Sequence, residues 1–174
     1  GRARVGGLAG ATMNETGTNR RWAMMGVGPK WALPVGGYFA VALGLHAGLH
    51  PRFVMSFAPA WAFTTVGAVL LGVGVVLYAS AWVSLRRGLR EGRLVTSGLY
   101  RIVRHPLYAS AVFFTIPGVA VISRCWLLLP MPLLAYVSLR ICLPAEDERL
   151  RKEFGEEYLR YREKTPALWP GCAR

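Results

Sequence analysis

Side chains that can hold a charged ligand crowd into residues 100–108, among them Tyr100, Arg104, His105 and Tyr108. Pro106 sits among them and fixes the local geometry. The residue before a proline is pushed out of helical conformation, whereas proline itself suits the first position of a helix. His105 is therefore expected at the mouth of a helix. Unpaired backbone N–H groups and the helix dipole favour an anion there, and Tyr100, Arg104 and His105 can add donors to it. About forty residues on, Glu146 heads an apolar stripe of Leu150, Phe154, Tyr158 and Tyr161 at helical spacing. A carboxylate in that position is costly without a partner, so it is a candidate for holding a cation or hydroxyl group, or for acting as a base. Two plainer readings stand beside these: Arg101 and Arg104 contact lipid phosphate while His105 caps a helix, and Glu146 pairs with Arg149 or Arg140. The remaining tail charges fall into i,i+4 pairs, Asp147 with Arg151, Glu148 with Lys152 and Glu156 with Arg160, each stabilising a helix by a few tenths of a kcal/mol.

The elements that position these residues follow from the segregation of charge and apolarity. The 174 residues are 53% hydrophobic, with a mean hydropathy of +0.34, yet carry a net charge of +12. Apolar runs cover 31–49, 60–85, 107–122 and 125–143, all uncharged except for Arg140 near the end of the last. A bilayer core needs about 20 apolar residues, which the run 60–85 exceeds. The run 107–122 is short enough to require a thinned or off-centre position. Ser123 and Arg124 alone separate the last two runs and predict a tight helical hairpin. A soluble protein with greasy core helices seldom stays uncharged for so long, and a cleaved signal peptide would not be followed by three more such runs.

Cations orient the chain. Of 21 Lys and Arg, five precede the first run, six lie in 86–106, and eight lie from Arg140 onward; only Arg52 and Arg124 occupy the other two turns. Both termini and the segments 86–106 and 144–174 are therefore expected in the cytoplasm. Residues 1–30 lack periodicity and are expected to be mobile, with Met13, Met24 and Met25 as candidate natural starts and what precedes them as candidate added sequence. The three cysteines have no spacing for a metal or a disulfide. The fold class is thus all-α, a polytopic membrane protein with about four spans. A cytoplasmic loop and a C-terminal amphipathic helix from about residue 145 to 161 close over a site, and residues 31–174 form one domain. The expected partner is the bilayer rather than nucleic acid, and the oligomeric state is left open.

Two segments then carry a resemblance. GLYRIVRHPLY at 98–108, followed by an apolar hairpin and EDERLRKEFGEEYLRY at 146–161, resembles the isoprenylcysteine carboxyl methyltransferase and phospholipid methyltransferase family over roughly residues 60–170. The resemblance implies an integral membrane enzyme of the inner membrane or, in a eukaryote, the endoplasmic reticulum. It would transfer methyl groups from S-adenosylmethionine to a lipophilic acceptor: an isoprenylcysteine-like carboxylate, a lipid amine or a thiol. It implies cofactor contacts from Leu94, Val95, Gly98, Tyr100, His105, Pro106, Tyr108, Glu146 and Asp147. The chemistry of methyl transfer then makes Arg104, to offset the charge of a carboxylate or thiolate acceptor, and Glu146 or Glu148, as a base for an amine acceptor, the expected catalytic helpers. Asp147 stands where the second acid is commonly Glu. Cys142 stands where members acting on isoprenylcysteine commonly have Arg, which bears on the acceptor more than on methyl transfer. Two other functional readings remain, a non-enzymatic membrane scaffold with a lipid-phosphate-binding face and a nicotinamide-dependent sterol-reductase-like enzyme.

Overall fold

The computed structural model describes residues 28–170; their regular structure is helical, apart from a single antiparallel bridge between Val54 and Cys125. Four helices follow in order: α1 (Gly28–Gly48), α2 (Ala60–Glu91), α3 (Pro106–Ile122) and α4 (Met131–Lys164). The expectation for residues 1–27, including the candidate start sites, lies outside the described residues. Gly28, Pro29 and Lys30, expected in that mobile segment, already belong to α1.

By length and composition, α2 and the stretch Trp126–Lys164 can each cross a membrane, while α3 is apolar but shorter. The outward faces agree with lipid as their solvent. Leu33, Trp61, Val76, Leu133 and Ile141 are each more than 60% exposed, which a water-soluble chain would hide.

Packing between α2 and α3 depends on small residues. Gly67, Gly74, Ala81 and Gly88 recur every seventh position along one buried face of α2. A methyl group on Gly67 would stand 2.9 Å from the Gly118 carbonyl oxygen, and one on Gly74 would stand 2.6 Å from Thr115 Oγ1. The two backbones therefore approach more closely than side chains allow, as small residues permit between helices in lipid. Residues 111–115 of α3, which include Thr115, form a π-helical turn. On the other side α1 is tied to α4 and to the turn before it: Trp31 Nε1 donates to the Ala135 carbonyl at 2.8 Å, and the Tyr38 hydroxyl donates to the Leu127 carbonyl at 2.6 Å.

Three boundaries differ from the expected ones. α2 does not end at residue 85 but runs through Arg86, Arg87 and Arg90, good helix formers, until Gly92 closes it in the left-handed conformation (φ 65°). The hairpin after α3 is wider than the Ser123 and Arg124 turn predicts. Arg124 adopts φ 50°, its guanidinium binds the Met55 carbonyl at 3.0 and 3.2 Å, and the chain pairs with residues 53–55 before Pro130 opens α4 at Met131. Finally, no separate tail helix begins near residue 145. α4 continues through Pro144 and breaks instead at Gly155 (φ 55°, ψ −130°), a conformation only glycine adopts readily.

Candidate functional site

The site forms where the N-terminus of α3 meets the polar part of α4. His105 is the residue preceding α3, with φ −124° and ψ 62°, and Pro106 is its first helical position. The extended segment after α4 returns across this junction: the Arg104 N–H donates to the Pro166 carbonyl at 2.8 Å, and the His105 N–H to the Ala167 carbonyl at 3.1 Å. The backbone at 104–105 is thus held in a clasp, which aims both side chains at α4.

One turn beyond the apolar stretch of α4, Asp147 receives three donors. Arg104 Nη1 donates to Oδ2 at 2.8 Å, His105 Nε2 lies 3.3 Å from Oδ1, and the Tyr158 hydroxyl donates to Oδ1. Arg104 Nη1 also reaches the Tyr158 oxygen at 3.0 Å. Burial alone would push the Asp147 carboxyl up. The hydrogen bonds from His105 and Tyr158 and the Arg104 charge outweigh that and hold it well below the usual carboxylate range. Tyr158 shifts the opposite way, raised by burial and then by its bond to the Asp147 anion, as a donor to a carboxylate must be. The expected pairing of Asp147 with Arg151 does not occur: the Arg151 guanidinium binds Glu148 at 3.0 Å, and Glu148 also reaches Lys152 at 3.9 Å. Glu156 and Arg160 form no ion pair among the described residues.

Glu146 points to a different neighbour. Its Oε2 accepts from the Tyr108 hydroxyl at 3.2 Å, and its Oε1 lies 4.0 Å from His105 Nδ1. The Tyr108 ring packs edge-on against Trp31 of α1, with centroids 5.7 Å apart, so α1 closes the far side of this pair. Tyr100 is buried within electrostatic reach of Glu146, and burial raises its hydroxyl pKa.

Five of the residues singled out by sequence therefore converge: Arg104, His105, Tyr108, Glu146 and Asp147. Tyr100 lies beside them, and Pro106 sets the helix start. Leu94 and Val95 are buried, Val95 packing with Tyr100 and with Ala81 of α2; they make no contact with the polar cluster through hydrogen bonds or ion pairs among the described residues. Gly98 is exposed and contributes a positive φ (62°) that starts the short 3-10 turn Gly98–Arg101. Cys142 is a free, half-buried thiol and Arg140 is exposed.

Sequence reasoning missed Tyr158 and the clasp. Tyr158 is fully buried and was assigned to the apolar stripe by its spacing, yet its hydroxyl belongs to the polar cluster. The signal was available, since a buried tyrosine hydroxyl requires a partner. The clasp carries no such signal, because it acts through backbone carbonyls.

The cluster also leaves one donor unused. Arg104 Nε is buried and has no hydrogen-bond partner among the described residues. Such an orphan is expensive unless a ligand atom meets it, and an anionic ligand group fits it. No group of three or more His, Cys, Asp or Glu suited to a metal ion occurs among the described residues.

The helices thus set an Arg-His-Pro turn against a pair of adjacent acids near their polar end, and the sequence comparisons place the chain in a family. The chain belongs to the isoprenylcysteine carboxyl methyltransferase family, whose profile matches residues 60–152, more than half its length. Among curated proteins it is 21% identical over 119 residues to protein-S-isoprenylcysteine O-methyltransferase B of Arabidopsis thaliana, covering 63% of this chain and 60% of that protein. It is 26% identical over 119 residues to the probable enzyme of the same kind in Oryza sativa subsp. indica, covering 63% and 62% of the two chains. It is also 32% identical over 117 residues to the nickel-cobalt-cadmium resistance protein NccN of Alcaligenes xylosoxydans xylosoxydans, covering 63% of this chain and 54% of that one. The chain thus spans about three fifths of the length of the methyltransferase relatives it matches.

Proposed function

We propose that this chain is an integral membrane methyltransferase that uses S-adenosylmethionine and a lipophilic acceptor. Its residues 31–174 would form one membrane-embedded unit of about four spans with the site at the cytoplasmic surface. Family membership supports the reaction class. The observation that carries the site is the convergence of Arg104, His105, Tyr108, Glu146 and Asp147 around a buried guanidinium nitrogen that lacks a partner.

The residues present fit the cofactor's polar groups. Arg104 Nε is placed to donate to a carboxylate, and Glu146 to accept from an ammonium or a ribose hydroxyl. Asp147 is already saturated by Arg104, His105 and Tyr158, so its part is to position those side chains rather than to bind. When bound, S-adenosylmethionine supplies a methyl group on a positively charged sulfur, which is activated without a covalent enzyme intermediate. The protein's tasks are then alignment and exclusion of water. For an amine acceptor Glu146 can take the proton released; for a carboxylate or thiolate acceptor Arg104 can offset its charge.

An apolar groove beside the cluster suits a lipophilic acceptor. It encloses about 370 Å³ between α2, α3 and the returning segment, and its lining includes Leu77, Ile102, Pro106, Phe113, Phe114 and Trp169. Pro106 connects its wall to His105. An acceptor could enter it sideways from the bilayer while the cofactor arrives from the aqueous side.

Calorimetric titration of the purified protein with S-adenosylhomocysteine tests the reading. Saturable binding is expected, and it is not expected of a scaffold or a nicotinamide-dependent reductase. A screen of lipid amines, prenylated thiol acids and small thiols with labelled S-adenosylmethionine then identifies the acceptor. No binding of S-adenosylhomocysteine under conditions where the helices remain folded would remove the proposal.

A further inference from the structure

We propose that a second, cationic pocket on the same end of the molecule binds a phosphate group, supplied by the headgroup of an anionic phospholipid. The pocket encloses about 390 Å³ and is lined by Thr96, Arg101, Arg160, Tyr161, Lys164 and Thr165. Three cations and two hydroxyl-bearing threonines face it, and no acidic side chain lines it. Arg101, Arg160 and Lys164 form no ion pair among the described residues, whereas Arg104, three residues from Arg101, pairs with Asp147. The two arginines that sequence placed together as lipid-phosphate contacts thus have different occupations.

The pocket is built by the fold rather than left by loose side chains. The break at Gly155 turns the last residues of α4 across the loop, and the Tyr161 hydroxyl donates to the Tyr100 carbonyl at 2.6 Å. That bond pins the helix to the residue adjoining Arg101 and holds Arg101 opposite Arg160 and Lys164. Arg160 and Lys164 are themselves four residues apart on one helix face, a spacing at which like charges repel unless an anion lies between them. A phosphate supplies several acceptor oxygens and the compensating charge.

Neighbouring residues favour the lipid source. Ile102 and Trp169, 51% and 60% exposed, lie directly beyond Arg101 and the Thr165 segment and line the apolar groove. A cationic pocket bordered by exposed apolar and tryptophan side chains matches the headgroup level of a bilayer. The inference does not depend on methyl transfer, and none of the residues lining the pocket is assigned to the cofactor.

The test uses the full chain in detergent with native mass spectrometry, titrating short-chain phosphatidylglycerol, phosphatidylcholine or inorganic phosphate. One saturable phosphatidylglycerol is expected per chain, with phosphatidylcholine binding at least tenfold more weakly. Exchanging Arg101, Arg160 and Lys164 for Gln should reduce phosphatidylglycerol affinity tenfold or more, and Arg101→Gln alone severalfold. Exchange of Arg86, Arg87 and Arg90 for Gln removes the same charge from α2 and should change it less than twofold. Inorganic phosphate competing at millimolar concentration would keep the phosphate site but assign it a soluble occupant. Equal losses from the two triple variants, or equal binding of the two lipids, would overturn the proposal.

Discussion

Glu146 and Asp147 are adjacent carboxylates, yet α4 turns them about 100° apart and gives them different work. Asp147 receives Arg104, His105 and Tyr158, while Glu146 faces Tyr108. Asp147→Asn should therefore destabilise the fold by about 3–5 kcal/mol, because it strands a buried guanidinium, and differential scanning fluorimetry should report it. Glu146→Gln should leave the melting temperature nearly unchanged and weaken S-adenosylhomocysteine roughly ten- to hundred-fold in calorimetry, the effect of losing a charge-assisted hydrogen bond of about 1.5–3 kcal/mol. Equal affinity in Glu146→Gln and Glu148→Gln would show Glu146 to be another surface charge. The Asp147 carboxyl is held below its ordinary value of 3.8 in the folded chain, so its contribution is complete above that pH and is lost as pH falls further. The melting temperature should accordingly drop below about pH 4 in the parent, with a shallower acid slope in Asp147→Asn. Sequence identified all five converging residues, but it misjudged Asp147. Spacing along one helix suggested Arg151 as its partner, and only the tertiary return of the loop brings Arg104 within reach.

Helix boundaries were legible where a local residue dictates them and obscure where a distant contact does. Pro106 starts α3 as its chemistry requires, whereas Pro144 does not end α4: the separate helix expected from about residue 145 is a continuation of α4, which breaks at Gly155 instead. Gly155 lay inside a helical pattern, where an isolated glycine is easily discounted as a mere loss of propensity. The seven-residue recurrence of small residues on α2 is visible in the chain, but it acquires meaning only when Gly118 and Thr115 of α3 are seen against it. Gly74→Val should disrupt this contact, since its side chain would meet the Thr115 backbone N at 3.0 Å as well as Oγ1. The expected cost is about 1–3 kcal/mol, read as a lower melting temperature in detergent, with Gly72→Val, which has open space around it, as the tolerant control. Truncation before Thr165 should act on another element. It removes the carbonyls of Pro166 and Ala167 that clasp 104–105, so S-adenosylhomocysteine affinity should fall while circular dichroism retains the helices.

At the scale of the whole molecule, the described cations separate into two ends. The turns holding Arg52 and Arg124 meet each other through the Val54 and Cys125 bridge and the bond from the Met55 N–H to the Arg124 carbonyl at 2.7 Å. The loop with Arg93, Arg101 and Arg104 and the polar end of α4 lie together at the site, joined by Arg104 with Asp147 and Tyr161 with Tyr100. An apolar surface on α2 and α4 lies between these ends. The sparse end should face away from the cytoplasm, because translocating a loop with one arginine costs far less than translocating one with six. This arrangement predicts the labelling of single cysteines in a background with Cys125, Cys142 and Cys172 replaced. A membrane-impermeant maleimide added to intact cells should modify Arg52→Cys, at an exposed position in the α1–α2 turn, and should reach Arg90→Cys only after the membrane is permeabilised. Modification of position 90 alone in intact cells would invert the topology and place the site on the face that S-adenosylmethionine does not reach. Modification of both would deny that α2 crosses the bilayer, whatever its length and hydropathy.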